Sequence, residues 1–138
     1  MGEVFFWQVD DVIRIHDSII DMYGGSYGLV NGIGGLESAL SRPAKYLHYQ
    51  SYSIPGMAAV YIYAIADGHV FTDGNKRTSV KIAEIFLIRN GYYLLMDNFQ
   101  LEQLVLKVAD TKSPDKISLE YLAEQFEIFS EPFDASSE

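Results

Sequence analysis

An all-α fold is predicted for this chain, and three features of the sequence predict it. Apolar residues recur at the three- and four-residue spacing of helices through most segments. Glycine pairs, prolines and residues suited to helix caps separate these segments. No segment shows a convincing alternation of apolar and polar residues, and no internal repeat is found. We therefore expect a compact helical bundle.

Size and composition limit the possible classes of protein. A chain of 138 residues with an apolar fraction of 49% can build one core, so we expect a single domain over 1–138, with 130–138 as a frayed tail. The absence of cysteine excludes disulfides, thiolate nucleophiles and cysteine-based zinc sites. A net charge of −9 and a pI near 4.6 argue against direct nucleic-acid binding.

Two features of the sequence concern the cellular location of the protein: the start of the chain and its most apolar run. The first residues lack the basic stretch of a signal peptide and are soon followed by Asp10 and Asp11. The run from Met57 to Ala66 is about half of the roughly 20 residues that a membrane-spanning helix needs. We therefore expect a cytoplasmic protein without a membrane segment.

The first part of the chain is predicted to contain two helices joined by a glycine-rich loop. Asp10 is expected to cap the first helix, which Gly24-Gly25 ends. A short second helix is expected to begin at Leu36 and to stop before Pro43, because a proline disfavours the helical conformation of the residue before it. The following tyrosine-rich segment, 44–53, is one of two candidates for a hairpin-like excursion.

Two central helices are predicted next. Ser53 and Pro55 start a helix that is apolar nearly all round, and Gly68 breaks it. Thr72 or Asp73 is expected to cap the second central helix, which Asn90-Gly91 closes. The segment between the two helices is therefore a joint in the core.

The last part of the chain is predicted to hold two more helices. Residues 92–96 are the second candidate for an extended excursion. Asp97 is expected to cap a helix that runs to about Asp110, and Ser118 a last helix that ends near Phe129.

The joint between the central helices carries the candidate chemistry. Residues 69–77 read His-Val-Phe-Thr-Asp-Gly-Asn-Lys-Arg. His69 is a candidate general base for a hydroxyl group, and Asp73 is a candidate Mg²⁺ ligand. Backbone N–H groups from Gly74 onward can hold phosphate where a helix begins. The segment therefore predicts a phosphoryl-transfer or nucleotidyl-transfer enzyme.

The other residues of the segment leave alternatives open. Asn75 is expected either to bind phosphate or to fix the loop. Lys76 and Arg77 are expected to neutralise charge on the transferred group, and a solvated basic patch is the alternative. Phe71 is expected to point into the core and to anchor the loop. His16 and His48 have no metal-ligand or catalytic spacing and are given no role.

These residues resemble the signature of the Fic/Doc family, His-x-Phe-x-(Asp/Glu)-(Gly/Ala)-Asn, in the shorter form that ends in Asn-Lys-Arg. The shorter form is typical of the Doc (death-on-curing) branch. Three further segments, which begin at Tyr23, Gly35 and Arg89, are also similar to Doc-like sequences. The resemblance extends from about residue 10 to about residue 128.

The resemblance implies a compact Fic/Doc-like helical bundle with the motif loop between two central helices, and binding of ATP with Mg²⁺. By this likeness Gly74, Asn75, Lys76 and Arg77 bind the nucleotide, Asp73 binds the metal, and His69 and Arg77 are catalytic. It implies transfer of the terminal phosphoryl group to a threonine of elongation factor Tu, which halts translation. A small separate antitoxin is implied as a second partner.

Two alternatives to phosphorylation remain at this point. Adenylylation is the first, although Lys76 replaces a small glycine of the adenylylating signature and Val80 replaces its second arginine. The second is a non-catalytic binder of a translation factor or ribosome. It would use a basic patch of Lys76, Arg77, Lys81 and Arg89.

Overall fold

The structure is a computed structural model that describes residues 3–110 and 112–133. Helices dominate it, as the sequence predicts, and the all-α class is confirmed. In chain order the described elements are α1 (Val9–Tyr23), α2 (Gly32–Gln50), α3 (Ile54–Ile62), a π-helical turn (Tyr63–Asp67), α4 (Asn75–Arg89), β1 (Tyr92–Leu94), α5 (Asn98–Ala109), α6 (Leu119–Phe129) and β2 (Ser130–Pro132). None of the described helices is long and apolar enough to cross a lipid bilayer.

Helix α3 forms the centre of the bundle. Every residue from Pro55 to Ile62 is buried, and α3 packs against α2, α4 and α6. This follows from a sequence that is apolar on all faces of the helix, because such a helix is stable only when it is surrounded. The helix passes directly into the π-helical turn, so the core leads into the candidate site.

The predicted caps of three helices are confirmed. The side chains of Ser53, Asp97 and Ser118 each accept a hydrogen bond from a backbone N–H in the first turn of α3, α5 and α6. Asn90 and Gly91 end α4 as predicted, with Gly91 at φ +86°. These ends depend on contacts within a few residues, which the sequence alone specifies.

The predicted cap of α1 is wrong by two positions. Gln8 precedes the helix without a side-chain cap, and the helix begins at Val9. Asp10 and Asp11 instead lie in its first turn. A carboxylate in that turn favours the helix through the macrodipole, so an acidic residue at the start of a helix fits either position.

Helix α2 continues through Pro43, where the sequence predicted a stop, and the hairpin-like excursion predicted at 44–53 is absent because residues 44–50 are helical. A proline inside a helix costs about 3 kcal/mol. Pro43 is buried together with Leu36, Ala39 and Leu40, on a helix that packs against α3. We infer that this packing outweighs the cost of the proline.

Residues 92–94 provide the extended excursion, and the partner strand comes from the predicted tail. β1 and β2 pair in antiparallel register, with Tyr92 opposite Pro132 and Leu94 opposite Ser130. Phe133 also donates its backbone N–H to Gly91 at 2.7 Å. The frayed tail is therefore wrong for residues 130–133, because a backbone ladder with a distant segment orders them. Residues 134–138 lie outside the described residues.

Substitution of Tyr61 tests how much one buried hydrogen bond contributes to the stability of the core. Its hydroxyl oxygen accepts a hydrogen bond from the backbone N–H of Trp7 at 3.1 Å, and its side chain is fully buried. Tyr61→Phe leaves that N–H without its partner, so we expect a loss of about 1 to 3 kcal/mol in unfolding free energy at pH 7. Urea denaturation measures this loss, and an unchanged midpoint would contradict it.

The difference in unfolding free energy between the wild type and Tyr61→Phe should also depend on pH. Burial raises the pKa of Tyr61 from 10.0 to about 12, against a smaller lowering by the Trp7 hydrogen bond. The contribution of Tyr61 to the unfolding free energy is complete below pH 10. It decreases as the pH approaches 12, because the phenol of the unfolded chain ionises before that of the folded protein. The stability difference between the wild type and Tyr61→Phe should therefore narrow over this range.

Candidate functional site

The motif loop runs from the π-helical turn to α4 and is held by a neighbouring loop. Its segment 70–72 pairs with residues 28–30, which follow α1, through an antiparallel bridge between Phe71 and Leu29. Val30 donates its backbone N–H to the Val70 carbonyl at 2.9 Å, and Thr72 donates to Gly28 at 3.0 Å. The loop therefore has a backbone partner on the side of α1.

Asn75 closes the motif loop on itself. The backbone N–H of Phe71 donates to Oδ1 of Asn75 at 2.8 Å, and Nδ2 of Asn75 donates to the Phe71 carbonyl at 2.7 Å. Phe71 is 2% exposed, which confirms its predicted position in the core. Because both polar atoms of the amide are occupied, the structure favours the loop-fixing role of Asn75 over direct phosphate binding.

Helix α4 begins without a side-chain cap. Gly74 is its N-cap residue, in the left-handed conformation at φ +80°, so the predicted capping by Thr72 or Asp73 is wrong. The carboxylate of Asp73 faces away and accepts the backbone N–H of Ser26 at 2.8 Å through Oδ2. The first N–H groups of α4 therefore have no side-chain acceptor, which is the arrangement of an anion site at a helix N-terminus.

A groove of about 570 Å³ opens at the start of α4, between α1 and α5. Four motif residues line it: Gly74, Asn75, Lys76 and Arg77. Its other lining residues are Ile19, Tyr23, Val80, Lys81, Glu84, Asn98, Leu101, Glu102, Val105 and Leu106. The predicted nucleotide-binding residues therefore do share one concave surface.

The groove contains exposed cations and a partly buried carboxylate. Lys76 and Arg77 are exposed, and the Arg77 guanidinium lies 4.1 Å from the centroid of the Tyr23 ring, a cation–π contact. Burial raises the pKa of Glu84, and the positive charge of Lys81 offsets part of this shift. The groove thus contains fixed positive charge near the start of α4 and a carboxylate further along it.

The four cations of the alternative basic patch do not form one surface. Arg89 ends α4, and its guanidinium lies 4.3 Å from the centroid of the Phe5 ring. At 1.5 Å per residue, Arg89 is about 18 Å from Arg77 along the helix. This separation disfavours the patch as a single binding surface.

His69 is exposed and lies in the left-handed region at φ +47°, an unusual conformation for a residue other than glycine. Its ring has no hydrogen-bond partner among the described residues, and it does not line the groove. Asp73 is also outside the lining. The structure thus gathers Gly74 to Arg77 in one groove and presents His69 to solvent on the same loop.

Hydrogen bonds with Lys116 and Ile117, which are distant in sequence, hold the turn before His69. Lys116 donates through Nζ to Oδ1 of Asp67 at 2.5 Å and to the Val108 carbonyl at 2.7 Å. Burial acts to lower the pKa of Lys116, but the hydrogen bond and negative charge of Asp67 outweigh it, so the pKa is raised. Tyr63 adds a hydrogen bond to the Ile117 carbonyl at 3.0 Å.

Metal binding would depend on few protein ligands. No cluster of three histidine or carboxylate side chains occurs in the ranges 3–110 and 112–133. Oδ1 of Asp73 has no hydrogen-bond partner among the described atoms. Mg²⁺ usually keeps several waters and binds through one or two carboxylates together with substrate phosphates, so a single exposed carboxylate fits this ion.

His16 contacts the motif from α1, a contact that the sequence does not predict. It is 1% exposed, and its ring stacks on that of Phe71 at a centroid distance of 3.8 Å. A signal was present, since His16 falls four residues from both Val12 and Ile20 on the buried face of α1. A histidine in such a stripe requires a polar partner, but the sequence does not identify that partner.

Comparisons with known proteins show the family of this chain. A family model described as the Fic/DOC family matches residues 6–87, more than half of the chain. The chain is also 34% identical over 101 residues to Protein kinase doc of Escherichia phage P1. That similarity covers 72% of this chain and 79% of the phage protein.

Substitution of Gly68 tests whether the backbone before His69 requires a residue without a side chain. A Cβ at Gly68 would lie 2.3 Å from the backbone oxygen of Ala64, a contact that side-chain rotation cannot relieve. We expect Gly68→Ala to lower the unfolding free energy by about 1 to 3 kcal/mol and to shift the NMR signals of the His69 ring.

Gly34→Ala is the matched control, because nothing lies within 4 Å of the added Cβ on an exposed part of α2. We expect it to be neutral or slightly stabilising. Equal effects of the two substitutions in urea denaturation would contradict a steric role for Gly68.

Proposed function

Because the chain belongs to the Fic/Doc family, we propose that it is a Doc-like enzyme that transfers the terminal phosphoryl group of ATP to a hydroxyl side chain of a protein target. The observation that carries this proposal is the uncapped start of α4, which opens on the groove beside Lys76 and Arg77. Its free N–H groups and two cations are suited to the phosphates of a nucleotide.

In the proposed reaction, the hydroxyl oxygen of the target attacks the terminal phosphorus of ATP. The bond from that phosphorus to the ADP oxygen breaks, and the hydroxyl proton passes to His69. An exposed imidazole without a protein partner is free to meet such a hydroxyl. Arg77 and Lys76 lie where they can stabilise negative charge on the transferred group.

Mg²⁺ is the proposed cofactor, and when bound it neutralises charge on the phosphates. Asp73 is its proposed ligand, since one carboxylate oxygen is occupied by Ser26 and the other is available. The hydrogen bond from Ser26 restrains this carboxylate, which would supply one hard oxygen ligand from the motif loop.

The groove favours phosphoryl transfer over transfer of AMP. The adenylylating signature has a small glycine at the position of Lys76 and a second arginine at the position of Val80. Here Val80 contributes an apolar side chain to the groove, and Lys76 contributes a flexible cation. The phage relative that is named a protein kinase supports the same choice.

Elongation factor Tu is the first target to test, and a separate small antitoxin belongs to the same proposal. Both follow from family resemblance. Leu106, an apolar residue of α5 that lines the groove and is 41% exposed, offers a contact for a partner that covers the site.

Intact-mass analysis of elongation factor Tu tests the reaction. After incubation with this protein, ATP and Mg²⁺, we expect a mass gain of one phosphoryl group. His69→Ala should reduce the rate by about 10²- to 10⁴-fold, because the proton acceptor is lost. His48→Ala, which removes an exposed histidine of α2, should leave the rate unchanged. A gain of one AMP would establish adenylylation instead, and no gain would reject this target.

Calorimetric titration with MgATP tests the role of Arg77. We expect Arg77→Met to lose about 1.5 to 3 kcal/mol of binding free energy, roughly ten- to hundredfold in Kd, because a charged hydrogen-bond donor is removed. Arg14→Met is the control, since Arg14 is exposed on α1 and pairs with Asp11. Equal affinities of the two variants would contradict phosphate binding by Arg77.

A further inference from the structure

His16 is a buried polar residue that the proposed chemistry does not use. It lies on the core-facing side of α1 and stacks on Phe71 with an angle of 7° between the rings. Its Nε2 is 2.7 Å from the carbonyl oxygen of Asp73, and its Nδ1 is 3.1 Å from Oδ1 of Asp17. The ring thus contacts both the motif loop and its own helix.

The contact with Asp73 identifies one nitrogen of the ring as a donor. A carbonyl oxygen can only accept, so Nε2 of His16 carries a proton and donates it. The carboxylate of Asp17 lies beside Nδ1 on the same helix and orients the ring from its other side. His16 is therefore a donor aimed at one backbone atom of the motif.

That backbone atom belongs to the peptide that starts α4. The Asp73–Gly74 peptide is trans, so its N–H points in the opposite direction to its carbonyl. Because the Asp73 carbonyl points toward His16 on α1, the N–H of Gly74 points away from α1. Gly74 lines the groove, and a Cβ on it would lie 3.5 Å from Nε2 of His16 and 3.2 Å from Cδ1 of Ile20.

We propose that His16 is a positioning residue for the anion site at the start of α4. By holding the Asp73 carbonyl, it orients the Gly74 N–H and the turn that leads into the helix. The nature of the anion, the phosphates of ATP, rests on the proposed function. The orientation of the Asp73–Gly74 peptide does not rest on the proposed function.

Two substitutions separate the donor of His16 from its ring. His16→Phe keeps a planar ring against Phe71 but removes the donor, and His16→Gln keeps a donor near the position of Nε2 but removes the ring. Tyr61→Phe is the matched control, because it also removes a buried side-chain partner of one backbone group, at a place outside the groove. The wild type and these three variants are titrated with MgATP by calorimetry.

We expect His16→Phe to raise the Kd for MgATP at least about tenfold, His16→Gln to recover most of the affinity, and Tyr61→Phe to match the wild type. Equal Kd values for His16→Phe and Tyr61→Phe would overturn the proposal. If His16→Phe does not fold, His16→Gln is compared with His16→Asn, whose shorter amide does not reach Asp73. Equal affinities of that pair would then overturn it.

Amide hydrogen exchange of the free proteins separates this proposal from the proposed function. We expect His16→Phe to speed exchange at Thr72 and Thr78 more than Tyr61→Phe does, whatever the ligand is. The backbone N–H groups of these two residues donate to the carbonyls of Gly28 and Gly74, on either side of the Asp73–Gly74 peptide. If the wild type binds no MgATP, the proposed function fails, and the exchange rates still decide the role of His16. Equal exchange at Thr72 and Thr78 in the two variants would reject it.

Discussion

The pair of hydrogen bonds between Asn75 and Phe71 is the constraint on which the rest of the candidate site depends. The bonds join the first residue of α4 to both backbone polar groups of a residue that is buried in the core. The path of the loop is therefore fixed by the packing of Phe71, and Phe71 in turn is stacked on His16. A loop closed in this way must turn sharply, and it does so through the left-handed Gly74. The unpaired N–H groups of α4 are the result.

The other end of the loop is held against a conformational preference. His69 lies at φ +47°, which costs energy for a residue with a side chain and persists only where its surroundings enforce it. The surroundings here come from several parts of the chain. Val30 pairs with Val70 on one side, and Lys116 holds Asp67 on the other. Because both supports join residues far apart in sequence, the backbone at His69 is a product of the whole fold.

The sequence predicts those features that depend on neighbouring residues. The caps at Ser53, Asp97 and Ser118 are confirmed, because each needs only a side-chain oxygen and the next turn of helix. The continuation of α2 through Pro43 and the strand at 130–132 depend on distant partners, and the sequence does not predict them. The candidate site divides in the same way. Its residue types are visible as a motif, whereas the occupation of the Asn75 amide and the contact with His16 appear only in three dimensions.

The distribution of charge along α4 explains how an acidic chain can present an anion site. The net charge is −9, yet the first turn of α4 contains two cations and no acidic residue. Cations at a helix N-terminus oppose the macrodipole, a local cost that a bound anion would offset. On the face of α4 that lines the groove, Lys76, Val80 and Glu84 follow one another at intervals of four residues. Along this row the side chains change from cationic through apolar to acidic over about 12 Å of helix, while Lys81 adds a further cation to the lining beyond the first turn. The first turn combines two cations with the free N–H groups, so the attraction for anions is greatest there.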